Sequence, residues 1–254
     1  MVDIHAKPWY AIAIPHKDIR EKRLEEAVFA ANLWTVSQGN ASEVYRDPEA
    51  FFTKSYLTSG LTNVLTRVSR ALSGDADAGD RILSLQTSFG GGKTHALVAL
   101  WHLAKNTEKI RQASGCAEVR RALGDRLPSR VKGVAVFTNE TCDVTQGRLT
   151  PEGVHTWTLW GELALQLGGV ELYRKIEAND RARTVPQGLF TWILAEAAPC
   201  LILLDELADY CVGASGVTVG DATLADQTIS FTQQLTQAVG QVPGVALVAT
   251  LPAS

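Results

Sequence analysis

The sequence has no long apolar run, no closely spaced cysteines and almost no net charge. None of its 254 residues falls in a stretch near the ~18 apolar residues that a membrane-spanning helix needs. The opening MVDIHAKPWYAIAIPHKDIR carries Asp3 and lacks an extended apolar segment, so it does not read as a secretory signal. The four cysteines, Cys116, Cys142, Cys200 and Cys211, lie far apart and form no CxxC pair. That spacing argues against a zinc site and for the free thiols of a cytoplasmic protein. Lys and Arg number 24 against 27 Asp and Glu, for a net charge of −3. Such a balance gives no global attraction to nucleic acid. Internal repeats and low-complexity tracts are also missing.

What is present is ordinary for a folded chain. Apolar residues make up 46% and charged residues 20%, which argues against disorder. At roughly 150 residues per domain, the length allows one large domain or two small ones. Residues 1–80 read as a mainly helical region. Ile19–Trp34 has apolar residues near one helical face. Asp47-Pro48 marks a cap and first turn, and Tyr56–Leu72 continues a helical period. Ser73–Asp80 is a polar loop.

Residues 81–254 alternate strands with helices. The strands expected are Arg81–Gln86, Val131–Thr138, Pro199–Asp205 and Gly244–Leu251. Helices are expected from Lys93 to about Ala104, over Trp160–Leu167 and over Ala225–Val239. Near-continuous apolar strands separated by helices imply a parallel α/β sheet covered on both faces.

The first strand runs into T-S-F-G-G-G-K-T (Thr87–Thr94). The end of this segment matches the phosphate-loop pattern G-x-x-x-x-G-K-[ST], although Thr87 replaces its first Gly. Ser88, Phe89, Gly90, Gly91 and Gly92 can present backbone N–H groups to phosphate oxygens. The helix start adds its dipole. Lys93 brings a mobile positive charge. Thr94 offers a hydroxyl to Mg²⁺, which prefers oxygen ligands. His95 is either a phosphate neighbour or a helix-surface histidine.

The third strand, L-I-L-L-D-E (Leu201–Glu206), ends in two carboxylates. In a parallel sheet the carboxyl ends of the strands face the ligand crevice. Asp205 is placed to hold the Mg²⁺ shell. Glu206 is placed to take a proton from an attacking water, worth roughly 10²–10⁴ in rate. The bland alternative is a solvated acidic turn. A strand between the glycine loop and the acidic strand, together with Asp-Glu instead of a lone Asp, favours the P-loop NTPases with an added strand and a catalytic Glu. Thr250 in the last strand is a candidate sensor of the γ-phosphate or water, or simply a buried strand Thr.

QTSFGGGKTHALVALWHL (Gln86–Leu103), WTLWGELALQLGG (Trp157–Gly169) and LILLDELADY (Leu201–Tyr210) resemble a family of large prokaryotic ATPases of unknown function, held to be AAA+-like. PHKDI (Pro15–Ile19), FAANLWTVSQG (Phe29–Gly39) and YRDPEAFFTKSYLTSGL (Tyr45–Leu61) extend the resemblance over nearly the whole chain. The family's glycine loop also has a non-Gly first position. The resemblance implies a three-layer P-loop sandwich that binds ATP with Mg²⁺, working as a homo-oligomer or within a larger complex. Many members lie in phage-defence loci, an association without a mechanism.

In such proteins the segment before the loop often contacts adenine, so Tyr45, Phe51, Phe52 and Tyr56 are either base-stacking or core residues. His16 and Asp18 are weaker candidates. In the strand order 5-1-4-3-2 of this division, a chain ending after its fourth strand leaves the loop strand at an edge. The expectation is therefore a fragment, short of a strand, a lid and an arginine finger.

Three functions remain open: an ATPase module that drives a conformational step, a nucleotide-gated scaffold without turnover of its own, and a small-molecule kinase. The last lacks any recognisable acceptor pocket.

Overall fold

The computed structural model describes residues 31–75, 79–86, 92–124 and 126–251. Most of the expected Ile19–Trp34 helix, with His16 and Asp18, lies outside them. Its described end differs from the expectation. Asn32 has an extended backbone and its side chain accepts the Thr35 N–H, so a new helix, α1 (Leu33–Ser37), starts there. Helix α2 (Glu43–Arg46) follows. Asp47 then caps α3 (Pro48–Lys54), accepting from the N–H groups of Glu49 and Ala50 with Pro48 in the first turn.

The helix expected over Tyr56–Leu72 begins later, because the Thr58 hydroxyl accepts the Leu61 N–H and caps α4 (Ser59–Leu72). Residues 55–58 are not helical. Leu57 and Leu61 keep a helical spacing, which hides the cap from a periodicity reading.

Strand β1 (Ile82–Gln86) precedes α5 (Lys93–Lys105), α6 (Thr107–Gln112) and α7 (Ala117–Ala122). Strand β2 (Gly133–Phe137) leads to a small antiparallel pair, β3 (Arg148–Leu149) and β4 (His155–Thr156). Helix α8 (Leu159–Tyr173) is kinked at Gly168–Gly169, where Gly169 takes φ 65°. Then come α9 (Glu177–Ala182), α10 (Leu189–Ala197), β5 (Cys200–Leu204) and α11 (Leu207–Ala214). A second short pair, β6 (Thr218–Val219) with β7 (Ala222–Thr223), leads into α12 (Leu224–Gln241) and β8 (Val245–Leu251).

The main sheet is parallel throughout, in the order β1-β8-β5-β2. This matches the order expected for the four strands, and β1 is at an edge among the described residues. Alternate strand residues feed two cores. Phe137, Ile202, Leu204 and Leu247 face α8, α10, α11 and α12. Val136, Leu201, Leu203 and Val248 face α1, α3, α4 and α5. The chain is thus a mixed α/β protein with helices on both faces of a four-stranded parallel sheet.

The edge at β2 is covered by a side chain. The Gln166 amide on α8 donates to Val136 O at 2.9 Å and accepts from Val136 N at 2.8 Å, which satisfies an edge strand that would otherwise be open. Fully buried Glu162, one turn earlier, accepts two charge-assisted bonds from Arg148 at 2.7 and 2.6 Å. All four cysteines are free. No helix among the described residues is long and apolar enough to cross a membrane.

Helix α5 is buried on several sides, and His102 shows the consequence. Its ring is 0% exposed. Nε2–H donates to Tyr45 O at 2.8 Å, and Nδ1 accepts from the Asn106 amide at 3.0 Å. Both nitrogens are satisfied in the neutral ring. Burial, above all, lowers its pKa to about 4. The unfolded chain takes up this proton at an ordinary 6.5, so stability is full above that value and falls as pH drops towards 4. A loss of about 3 kcal/mol is expected from this group alone. Urea melts at pH 7 and pH 4 should show a smaller acid loss in His102→Gln than in wild type; equal losses would contradict the assignment.

Candidate functional site

Parallel strands bring their carboxyl ends to one edge of the sheet. Gly92, the next described residue beyond β1, caps the start of α5. Beyond β5 come Asp205 and Glu206. Thr250 lies at the end of β8, and Thr138–Glu140 follow β2. Ser88, Phe89, Gly90 and Gly91 lie outside the described residues, as does Thr87. The other sequence candidates, Gly92, Lys93, Thr94, His95, Asp205, Glu206 and Thr250, are described.

Gly92 caps α5 with φ 75°, a left-handed conformation that glycine adopts without a Cβ penalty. Lys93 and Thr94 form the first helical residues. The Thr94 hydroxyl donates to Asp205 Oδ2 at 2.9 Å, across more than a hundred residues of sequence. The Thr250 hydroxyl donates to Asp205 Oδ1 at 2.6 Å. Asp205 is only 4% exposed, so each of its oxygens receives a hydroxyl where water cannot reach freely. Its backbone N–H donates to Phe137 O at 2.8 Å, continuing the β2–β5 ladder.

Glu206 occupies the left-handed region at φ 54°, ψ 34°, rare for a non-Gly residue. Its N–H donates to Thr250 Oγ1 at 3.1 Å. The residue is exposed, unlike Asp205 before it. Partial burial, then the nearby charges of Asp205, Asp209 and Glu140, raise its carboxyl pKa above the ordinary 4.5. Glu140 is itself held by Asn32, whose amide donates to Oε2 at 2.9 Å. Neither Glu140 nor Asn32 was among the sequence candidates. The signal for Glu140 was its place three residues beyond the apolar strand VAVF, at the same sheet edge.

A groove of about 420 Å³ opens beside Lys93, with walls that include Tyr56, Leu61, Val64, Leu85, His95 and Ala96. The aromatic candidates divide across it. Tyr56 is 84% exposed at its wall, whereas Phe51 and Phe52 are buried in the core. Tyr45 packs partly buried against that core, its ring 6.1 Å from Phe51. His95 faces the groove but is anchored behind it. It stacks on Phe51 at 4.6 Å and shares a 2.9 Å hydrogen bond with Ser55 Oγ. Burial lowers its pKa, favouring the neutral ring.

The donors at the sheet edge suit a hard cation. The Thr94 hydroxyl and the Asp205 carboxylate are oxygen ligands of the kind Mg²⁺ takes, with phosphates and water completing its shell. No group of three or more His, Cys, Asp or Glu able to hold a metal is present among the described residues.

These features define an α/β protein with a polar cluster at the carboxyl edge of a four-stranded parallel sheet. The chain belongs to the family described as the DUF499 N-terminal domain, whose model matches residues 13–254. No curated protein and no solved structure matches it.

The Thr94–Asp205 bond has a stability consequence. Thr94→Val keeps the shape but removes a hydroxyl from a buried carboxylate, and should cost about 1–3 kcal/mol. Thr94→Ser should cost far less. Chemical denaturation measures both, and a Val variant as stable as wild type would show that the bond contributes nothing.

Proposed function

We propose that this chain is the nucleotide-binding core of a P-loop ATPase, a three-layer sandwich of the AAA+-like type with an added strand and a catalytic Glu. It binds ATP with Mg²⁺ and hydrolyses it to ADP and phosphate, driving a conformational step in a larger assembly. One observation carries the reading: Gly92, Lys93 and Thr94 start a helix whose Thr94 hydroxyl bonds the Asp205 carboxylate at 2.9 Å. A glycine turn with a lysine, joined to an acidic strand end, is the arrangement that phosphate and a divalent cation require together.

The residues divide the work. Backbone N–H groups at the start of α5 bind phosphate oxygens. The Lys93 ammonium adds charge to them. Thr94 and Asp205 hold the Mg²⁺ shell; when bound, the cation offsets negative charge on the phosphate oxygens. Glu206 lies one residue beyond Asp205, and its raised pKa makes it a better proton acceptor than an ordinary carboxylate at neutral pH. The groove beside Lys93 offers apolar walls at Leu61, Val64 and Leu85 and an exposed ring at Tyr56, which suits a flat base.

Mg·ATP at 100 times its Kd adds about 2.7 kcal/mol of stability, or roughly 5–10 °C in Tm for a chain of this size. Lys93→Ala should abolish the shift. Phosphate release should vanish in Glu206→Gln while the thermal shift remains. A chain that shifts with Mg·ATP but releases no phosphate is a nucleotide-gated scaffold. No shift at all removes the nucleotide reading.

The acid limb of turnover follows from Glu206. Catalysis needs its ionised form, so kcat/KM, which reports groups of the free protein, falls as pH drops through a value above 4.5. Glu140→Gln removes one of the charges that raise the Glu206 pKa and should move that limb to lower pH. A limb unmoved by the substitution would separate Glu140 from the site.

A further inference from the structure

Thr250 stands between the two acidic residues of the β5 end. We propose that it is a positioning residue: its hydroxyl fixes the Asp205 carboxylate and the Glu206 peptide together and makes no ligand contact of its own. This rests on the nucleotide reading above, although the bridge itself is a property of the chain alone.

A hydroxyl has one proton and two lone pairs. The Thr250 proton goes to Asp205 Oδ1 at 2.6 Å, and Thr250 Oγ1 accepts the Glu206 N–H at 3.1 Å. Its single donor is thus committed to a carboxylate, a stronger acceptor than a neutral oxygen. The side chain is also sealed off, with Thr250 2% exposed. A phosphate oxygen or an attacking water could receive that proton only if Asp205 lost it. Of the two readings the sequence allows, the sensor role needs a donor aimed at the ligand, and this donor is aimed at Asp205.

The backbone explains why the bridge is needed. Glu206 is left-handed and precedes α11 as its cap, yet no side chain caps that helix start. Its N–H lies just past the last β5–β8 pair, Leu204 with Ala249. Without the Thr250 oxygen, this N–H would lack its observed partner at the turn that aims the Glu206 carboxylate. Strand register supplies the oxygen. Leu204 opposite Ala249 puts Thr250 beside Asp205, and a one-residue slip would turn Thr250 to the other face.

The test compares Thr250→Val, which keeps the shape without the hydroxyl, with Thr250→Ser, which keeps the hydroxyl. Amide exchange at Glu206, followed by NMR on the ligand-free chain, should be at least about tenfold faster in T250V and close to wild type in T250S. In turnover, T250V should lose about 10–100-fold in kcat, with KM and the Mg·ATP thermal shift within about twofold of wild type. T250S should recover most of the rate. Unchanged Glu206 exchange in T250V overturns the proposal. So does a loss of nucleotide binding as deep as that of Lys93→Ala, which would mean direct contact with the ligand. So does a T250S as defective as T250V. Where T250V does not fold, T250A takes its place in both measurements. If wild type neither shifts with Mg·ATP nor turns it over, the nucleotide reading falls, and the exchange experiment still decides the bridge.

Discussion

One buried carboxylate sets the geometry on which the site depends. Asp205 belongs to the end of β5, receives a hydroxyl from α5 and another from β8, and continues the ladder to β2 through its backbone N–H. A charge placed where water is nearly excluded is costly unless hydrogen bonds replace its hydration. Both oxygens of Asp205 have such a bond. The helix start at Gly92 and the ends of two strands must therefore meet within about 3 Å of one carboxyl group. Small errors in any of the three elements would leave a buried oxygen unsatisfied. The parallel sheet makes the meeting possible, since only parallel neighbours end at the same edge.

The two cores keep those elements from drifting. Helix α5 contributes Leu97, Val98, Leu100 and Leu103 to one of them, with Phe51 from α3 and Leu65 and Val68 from α4. An almost wholly apolar helix such as VALWHLA is buried on several sides, not just along one stripe. The helices before β1 supply that second wall, so residues 33–72 share a core with the sheet. On the other face, the Gln166 clasp on Val136 fixes α8 to the outer edge of β2, and the Arg148–Glu162 pair ties the same helix to β3. Ladder bonds, side-chain bonds and apolar contact together hold β5 and β8 in the one register that seats Thr250 beside Asp205.

Much of this was legible in local patterns. LILLDE announces a buried strand ending in acid, and GKT after an apolar strand announces a helix start, because both depend on neighbours in sequence. The Asp47-Pro48 cap was readable for the same reason. Contacts across the sequence were not readable. Nothing in residues 29–39 points to Asn32 holding Glu140, over a hundred positions away. The break before Ser59 was masked because Leu57, Leu61 and Leu65 keep helical spacing although the Thr58 hydroxyl caps a helix that starts only at Ser59. Thr250 stayed open between a sensor and a buried strand residue, since the two partners of a hydroxyl at a strand end lie on another strand and the turn after it. The helices over Thr107–Gln112, Glu177–Ala182 and Leu189–Ala197 were missed where short runs carry too few apolar positions, or too uniform an apolar composition, for a period to emerge.

His95 joins the site to the helical layer before β1. It follows Thr94 by one residue, so its backbone moves with the turn that carries Lys93 and Thr94. Its ring is held from the other side by Ser55 and Phe51 at the end of α3. Burial keeps it neutral more readily than an exposed imidazole, and a neutral ring can share a hydrogen bond with Ser55 in either direction. Any displacement of the first turn of α5 must carry α3 with it or break the Ser55 contact and unstack Phe51. Phe51 also lies 5.2 Å from His102, two turns further along the same helix. One aromatic side chain thus spans both histidines, and the first turn of α5 and the layer that covers it are constrained as a unit.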